Sequence, residues 1–249
     1  MVRKKNFLSN NSMNVIVTGA NSGIGLSTVK LLLERDIFVY ACVRNNSCNL
    51  DKIKSSHLRI FRFDLLDLDS MKENIKEIFK MSNGDIFGLV NSAGVAHGGL
   101  FNMTSLEKIK ETFDINFFSQ LQLIQLVSKK MIANKKGSII NIASTAGIFS
   151  DAGTLAYGAS KSALIYSTRV LGVELGKFNI RVNSISPALV QTDMLKLMDQ
   201  SSQELITSRK SLPGNISPSD VANLIFFLLS EDSSKVNAQN LRIDQGMFA

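Results

Sequence analysis

Short, nearly continuous apolar runs alternate with longer amphipathic stretches along the whole chain. The runs at 14–18, 37–43, 58–63, 86–91, 138–143, 180–186 and 241–243 read as strands. Their density of Val, Ile and Leu is what strands buried on both faces of a parallel sheet require. Helical periodicity fills the intervals. Thr104 with Glu107 forms a candidate capping box that opens a long helix running to Asn134. Ser217 followed by Pro218 reads as an N-cap with proline in the first turn. Uninterrupted alternation predicts an α/β fold, a doubly wound parallel sheet of about seven strands with helices on both faces.

One stretch breaks the rhythm. Residues 192–215 are long and weakly patterned, an excursion from the sheet that reads as a lid over a ligand site. There are no internal repeats, and residues 13–249 read as one domain. Residues 1–12 carry Arg3, Lys4 and Lys5 but no apolar core or small-residue cleavage site. They read as a flexible basic tail rather than a secretory signal.

Composition narrows the class. Of 249 residues, 45% are hydrophobic and 20% charged, enough for a continuous core and outside the disordered class. No apolar run reaches the roughly 20 residues that span a bilayer. Two cysteines, Cys42 at a strand end and Cys48 in the next loop, are poorly placed to bridge, which suits a reducing cytoplasm. Scattered His and Cys residues show no metal-ligand spacing. The net charge of +7 is spread along the chain without an aromatic-interleaved stripe, so it points to a phosphorylated cofactor or an acidic carrier rather than nucleic acid.

The first strand runs into Thr18-Gly19-Ala20-Asn21-Ser22-Gly23-Ile24-Gly25, and a helix follows at once. Glycines at such a turn let backbone N–H groups approach a pyrophosphate, and the helix N-terminus adds partial positive charge. The spacing differs from the common dinucleotide fingerprint. The fold expected is therefore Rossmann-type. At the end of the second strand, Cys42-Val43-Arg44 offers no acid for ribose hydroxyls, whereas Arg44 is a fork of donors for a 2′-phosphate. NADP(H) is expected over NAD(H).

Tyr157 and Lys161 stand four apart on a predicted helix, so their side chains share a face. An ammonium beside a phenol favours the ionised form, lowering a pKa of about 10 towards neutrality. A phenol so tuned exchanges a proton with a carbonyl or alcohol oxygen. Ser144 ends the fifth predicted strand, at the edge where ligands bind in open α/β sheets. Asn116 lies inside the long helix, where asparagine is a poor helix former, and a buried amide there can position a water. Asn91-Ser92-Ala93-Gly94 follows another strand as a tight turn.

Taken together, from about Met13 to Met247, the chain resembles the short-chain dehydrogenase/reductase family. The matching pieces are the 18–25 turn, Asp64, the 91–94 turn, Asn116, Ser144, Tyr157, Lys161 and the run from Pro187 to Thr192. The resemblance implies Tyr157 as general acid in reduction, with Lys161 tuning it and holding the nicotinamide ribose. It implies Ser144 orienting the carbonyl and Asn116 supporting a proton-relay water. Gly19, Asn21, Ser22, Gly23, Ile24, Gly25, Arg44, Asp64, Asn91, Ala93, Gly94, Pro187, Val190 and Thr192 are then cofactor contacts. Phe149, Leu189 and Met194, with His97, line the substrate pocket beside Ser144 and Tyr157.

Three positions depart from the family pattern. Ser92 stands second in a turn that usually reads Asn-Asn-Ala-Gly, Ala188 replaces a glycine, and Asn237-Ala238-Gln239 replaces Thr-Gly-Gln. Within the family the chain looks most like 3-oxoacyl-[acyl-carrier-protein] reductases, through Gln191-Thr192-Asp193-Met194 and the segment from Ser219 to Met247. It lacks their Pro-Leu-Gly-Arg stretch, having Leu212-Pro213-Gly214-Asn215. Lys129, Lys130, Lys135 and Lys136 are candidates for a carrier-docking patch at the active-site rim, or form an ordinary basic helix end. The leading expectation is NADPH-dependent reduction of a small-molecule or carrier-bound ketone, without a membrane or nucleic-acid partner. The alternatives are a dehydrogenase of sugars, polyols or other secondary alcohols, and a non-catalytic cofactor-binding regulator. Kinship implies a homotetramer, with a dimer next.

Overall fold

The computed structural model describes residues 13–44, 49–198 and 200–247. The expected basic tail and Cys48 lie outside the described residues. Seven strands form one parallel sheet: β1 (Asn14–Thr18), β2 (Phe38–Val43), β3 (Leu58–Arg62), β4 (Gly88–Asn91), β5 (Gly137–Ile142), β6 (Ile180–Pro187) and β7 (Asn240–Ile243). Their order is β3-β2-β1-β4-β5-β6-β7. The order reverses between β1 and β4, so a crevice opens beyond their C-terminal ends, where such sheets bind ligands.

Alternation along the strands feeds two separate cores. Val15 and Val17 of β1 face one side with Val29 and Leu32 of α1 (Gly23–Leu33) and Val221, Ile225 and Leu228 of α7 (Pro218–Leu229). Ile16 faces the other. There it meets Met71, Ile75 and Ile78 of α2 (Leu68–Met81), Leu123, Val127 and Met131 of α4 (Ser119–Asn134), and Leu175 of α5 (Leu155–Gly176). The predicted doubly wound sheet is observed. Ile37 and Ile86, expected within strands, are fully buried but precede the ladders.

The long helix expected from Thr104 to Asn134 is divided. α3 (Leu106–Phe113) is followed by a π-helical segment, Asp114–Phe118, and then by α4. The capping residue is Ser105, whose hydroxyl accepts from Lys108 N; Thr104 instead donates to Leu100 O at 3.0 Å. With Lys108 at the third position there is no acidic side chain to reciprocate, so the expected box with Glu107 does not form. Ser217 does close a full capping box with Asp220. The excursion at 192–215 holds a 3₁₀ turn (Asp193–Leu197) and α6 (Gln200–Thr207).

The crossover also overturns the lysine patch. A helix between parallel strands returns the chain to the strand-start edge, so the end of α4 and Lys129, Lys130, Lys135 and Lys136 sit at the opposite edge from the crevice. Lys136 pairs with Asp85 at 2.8 Å, and Lys130 lies 5.8 Å from the Phe79 ring centroid.

Candidate active site

The turn after β1 closes tightly on the turn after β4. Gly19 has φ +61°, and a Cβ there would stand 2.8 Å from Ala93 N and Cα. Only glycine combines that backbone conformation with that approach. The Thr18 hydroxyl accepts from Ser92 N and Ala93 N, both at 3.1 Å, so Ser92 fits without loss of a contact. Gly23, at the start of α1, also has positive φ and faces Thr192, whose Cγ2 would lie 3.0 Å from a Cβ. Ser22 makes no side-chain cap on α1, whose first turn contains no acid. Its N–H groups therefore face the crevice uncapped, as an anion site needs.

Around this cradle the other expected cofactor residues gather unevenly. Arg44 is exposed at the end of β2. Asn21 is committed elsewhere: its Oδ1 accepts from Asn49 N at 2.7 Å and its carbonyl from Asn49 Nδ2 at 2.9 Å, which fastens the loop after β2 to the glycine turn. Asp64 follows β3 and accepts from Leu66 N at 2.9 Å. Asn91 donates to Asn141 Oδ1 at 2.9 Å, while its own Oδ1 is buried without a partner. Pro187 ends β6, Val190 bridges to Ile216, and Ala188 donates to Ile243 O at 2.9 Å. Ala188 avoids the left-handed region, so replacing glycine strains nothing there.

Next to the cradle, Ser144, Tyr157 and Lys161 converge. The Ser144 hydroxyl, which accepts from Ala146 N at 3.2 Å, stands near enough to the Tyr157 phenol to act on its ionisation. Lys161, 4% exposed, donates to Ile142 O at 2.8 Å and sits 5.8 Å from the Tyr157 ring centroid. A Cβ on Gly94 would lie 3.3 Å from Lys161 Nζ and 3.1 Å from Asn116 Oδ1. Gly94 thus brings the turn after β4 against both Lys161 and Asn116.

The electrostatics correct one expectation. Burial pushes the Tyr157 phenol above its ordinary value, against a smaller lowering from Ser144, so it is not drawn towards neutrality here. Burial also pulls Lys161 down to about 8, because an ammonium loses more solvation than a neutral amine. The Asn116 side chain, fully buried, is spent on its neighbours: Oδ1 accepts from Val95 N at 2.8 Å, and Nδ2 donates to Val95 O at 2.9 Å and Ser160 Oγ at 3.1 Å. It clamps the turn after β4. The π segment that turns it inward is the kind of helix irregularity common at functional sites.

The expected substrate residues are more dispersed. Phe149 lies in the loop after β5 with the Arg242 guanidinium 5.6 Å from its ring centroid. Met194 is exposed, and Leu189 is partly buried after β6. His97 stands beside Gly99, whose backbone N donates to Gly153 O at 2.9 Å. A pocket of about 670 Å³ touches Gly23 and Thr192 but none of Ser144, Tyr157 or Lys161; Leu26, Lys30 and Pro218 close its far side. Sequence reasoning missed Ser160 and Gln120, both buried beside Asn116. The spacing of Gln120, four residues after Asn116 in an apolar stretch, was the available signal.

A family profile described as short chain dehydrogenase matches residues 13–203. The chain belongs to the short-chain dehydrogenase/reductase family. This family member is 31% identical over 238 residues to the 3-oxoacyl-[acyl-carrier-protein] reductase FabG of Thermotoga maritima, covering 93% of this chain and 96% of that one. It is 32% identical over 238 residues to L-xylulose reductase of Caenorhabditis elegans, covering 93% and 94%. Among solved structures it is similar to 4-hydroxyisoleucine dehydrogenase complexed with NADH, with a TM-score of 0.88, 31% identity, and 95% and 99% of the two chains covered. No helix among the described residues is long and apolar enough to cross a membrane.

Proposed function

We propose that this short-chain dehydrogenase/reductase reduces a ketone to a secondary alcohol with NADPH. The observation that carries the reading is the convergence of Ser144, Tyr157 and Lys161 beside the Gly19–Gly94 cradle. When bound, the reduced nicotinamide supplies a hydride to the carbonyl carbon. Ser144 donates a hydrogen bond to the carbonyl oxygen and holds it against the phenol. Tyr157 delivers its proton to that oxygen as negative charge grows there. Lys161 stabilises the phenolate left behind until solvent reprotonates it. A phenol held above its ordinary value arrives protonated at neutral pH, as an acid must.

The residues present fit a dinucleotide. Gly19, Gly23 and Gly94 let the crevice turns pack closely on Ala93, Thr192 and Lys161, α1 offers uncapped N–H groups, and the buried Asn91 Oδ1 has no partner among the described residues. Arg44, with no acid beside it, supports a 2′-phosphate and hence NADP(H).

An apolar, acyl-like ketone such as a 3-oxoacyl thioester is the substrate class we favour. Loops at the crevice edge expose Leu100, Phe101 and Met103 after β4, Ile148 and Leu155 after β5, and Met194 and Leu212 after β6. Residues 192–215, bearing α6, act as the lid, tied to the β5 loop by Arg209 and Asp151 at 3.3 Å. The alternative, a sugar or polyol substrate, draws on the similarity to L-xylulose reductase. Following absorbance loss of NADPH and NADH with an acetoacetyl thioester and with a sugar ketone separates them. Preferred turnover of the thioester with NADPH supports this reading; turnover of the sugar alone overturns the substrate class. Association into a homotetramer, with a dimer as the smaller form, belongs to the proposal, since Phe118, Tyr166, Val170 and Val173 are exposed on the π segment and α5. Light scattering tests it.

A further inference from the structure

We propose that Gln120 is a positioning residue for the reaction: it locks the π segment to the turn after β4 and so fixes the height of Gly94 beneath the reacting groups. The inference rests on the reading of this site as nicotinamide-dependent.

Gln120 is only 1% exposed. Burying a primary amide is unfavourable unless it is hydrogen-bonded, so a glutamine on the inner face of a helix needs a local partner or a task. Its Nε2 donates to Ala93 O at 2.9 Å and reaches Ile115 O at 3.4 Å. These two carbonyls belong to different parts of the site. Ala93 lies in the turn that closes on Gly19. Ile115 lies in the π segment, where the shifted register releases its carbonyl from the usual α-helical partner. Ser119 Oγ donates to the same Ile115 carbonyl at 2.8 Å. Two side chains thus converge on one carbonyl of the π segment.

The consequence is mechanical. The segment Ala93-Gly94-Val95 is held from three directions: Thr18 at Ser92 N and Ala93 N, Gln120 at Ala93 O, and Asn116 at Val95 N and O. Gly94 sits between the last two clamps, facing Lys161 Nζ. Without Gln120 the turn keeps the Val95 clamp but loses the Ala93 O tie, and the π segment keeps Ser119 alone. The Gln120 Oε1 atom is buried without a partner among the described residues. The amide is retained for its Nε2 bond to Ala93 O, the tie between the π segment and the turn.

The test compares Gln120→Met, which keeps length and removes the amide, with Gln120→Glu, which keeps the shape and an oxygen acceptor. Each is assayed with NADPH and an acetoacetyl thioester, alongside thermal unfolding. The expected result for Gln120→Met is a melting temperature close to wild type, with kcat lowered about tenfold and the primary isotope effect from deuterated NADPH raised, because positioning within hydride-transfer distance is what is lost. Gln120→Glu should recover part of kcat at acidic pH, where its carboxyl is protonated and can donate to Ala93 O. A folded Gln120→Met enzyme with kcat and isotope effect within twofold of wild type overturns the inference. So does a loss in kcat that Gln120→Glu shows equally at every pH. Should Gln120→Met fail to fold, Gln120→Glu decides alone by its pH profile. Failure of wild type to oxidise NADPH with any ketone would instead overturn the reading on which this rests.

Discussion

Replacing Lys161 with methionine should make the protein more stable while removing its activity. Burial holds Lys161 at about 8 instead of 10.5. That difference corresponds to roughly 3 kcal/mol by which the folded state disfavours the ammonium. The Met variant forfeits the charged hydrogen bond to Ile142 O, which is worth about 2 kcal/mol. A net gain of about 1 kcal/mol remains at pH 7, or about 2–4 °C in melting temperature for a chain of this size. The sign with pH is fixed by linkage. Below pH 8 both states carry the proton and the cost is complete. Between 8 and 10.5 the unfolded chain binds more protons, so wild-type stability rises with pH relative to the variant. The gap should therefore narrow as pH climbs from 7 to 10. Thermal or urea unfolding of both proteins across that range measures it. A variant less stable than wild type at pH 7, or a gap indifferent to pH, would refute the assignment of Lys161 as a buried ammonium retained for function.

Other outcomes follow from the same geometry. Tyr157→Phe should lose about a hundredfold or more in turnover with an unchanged melting temperature, since positioned acid–base groups contribute roughly 10²–10⁴; steady-state kinetics and calorimetry check both halves. Gly19→Ala forces a side chain into a left-handed conformation and against Ala93, so it should lower the melting temperature and weaken NADPH binding seen by fluorescence. Arg44→Ala should raise KM for NADPH far more than for NADH, and equal cofactor use by wild type would end the 2′-phosphate reading. Cys42 is buried with its thiol pushed up to about 12, so peptide mapping after alkylation of the folded protein should find it unmodified.

Much of this architecture is readable in the chain. Strands such as Val15–Val17 and Val39–Val43 announce themselves because burial on both faces demands unbroken apolar residues. The glycine turn is legible because only glycine tolerates the close approach at Gly19. Other features depend on what sequence pattern does not carry. Adjacent hydroxyls at Thr104 and Ser105 compete for one cap, and Thr104 is taken by the end of the preceding 3₁₀ turn, Phe101–Met103. A π turn shifts register by one residue without altering amphipathicity, so the only traces of it are the awkward Asn116 and Gln120. The lysines at the end of α4 are a different case: a βαβ crossover dictates which edge they reach, and that argument was available from topology alone. The state of Tyr157 and Lys161 turned on desolvation, which spacing does not measure.

The most direct test of the account follows the hydride itself. NADPH carrying deuterium on one face of nicotinamide C4 is incubated with protein and an acetoacetyl thioester, and the product is examined by mass spectrometry and NMR. With each face labelled in turn, deuterium at the carbinol carbon from one face only, formed about a hundredfold or more slowly by Tyr157→Phe, is the predicted result. Product without label from either face, or labelled product formed equally well by Tyr157→Phe, contradicts it.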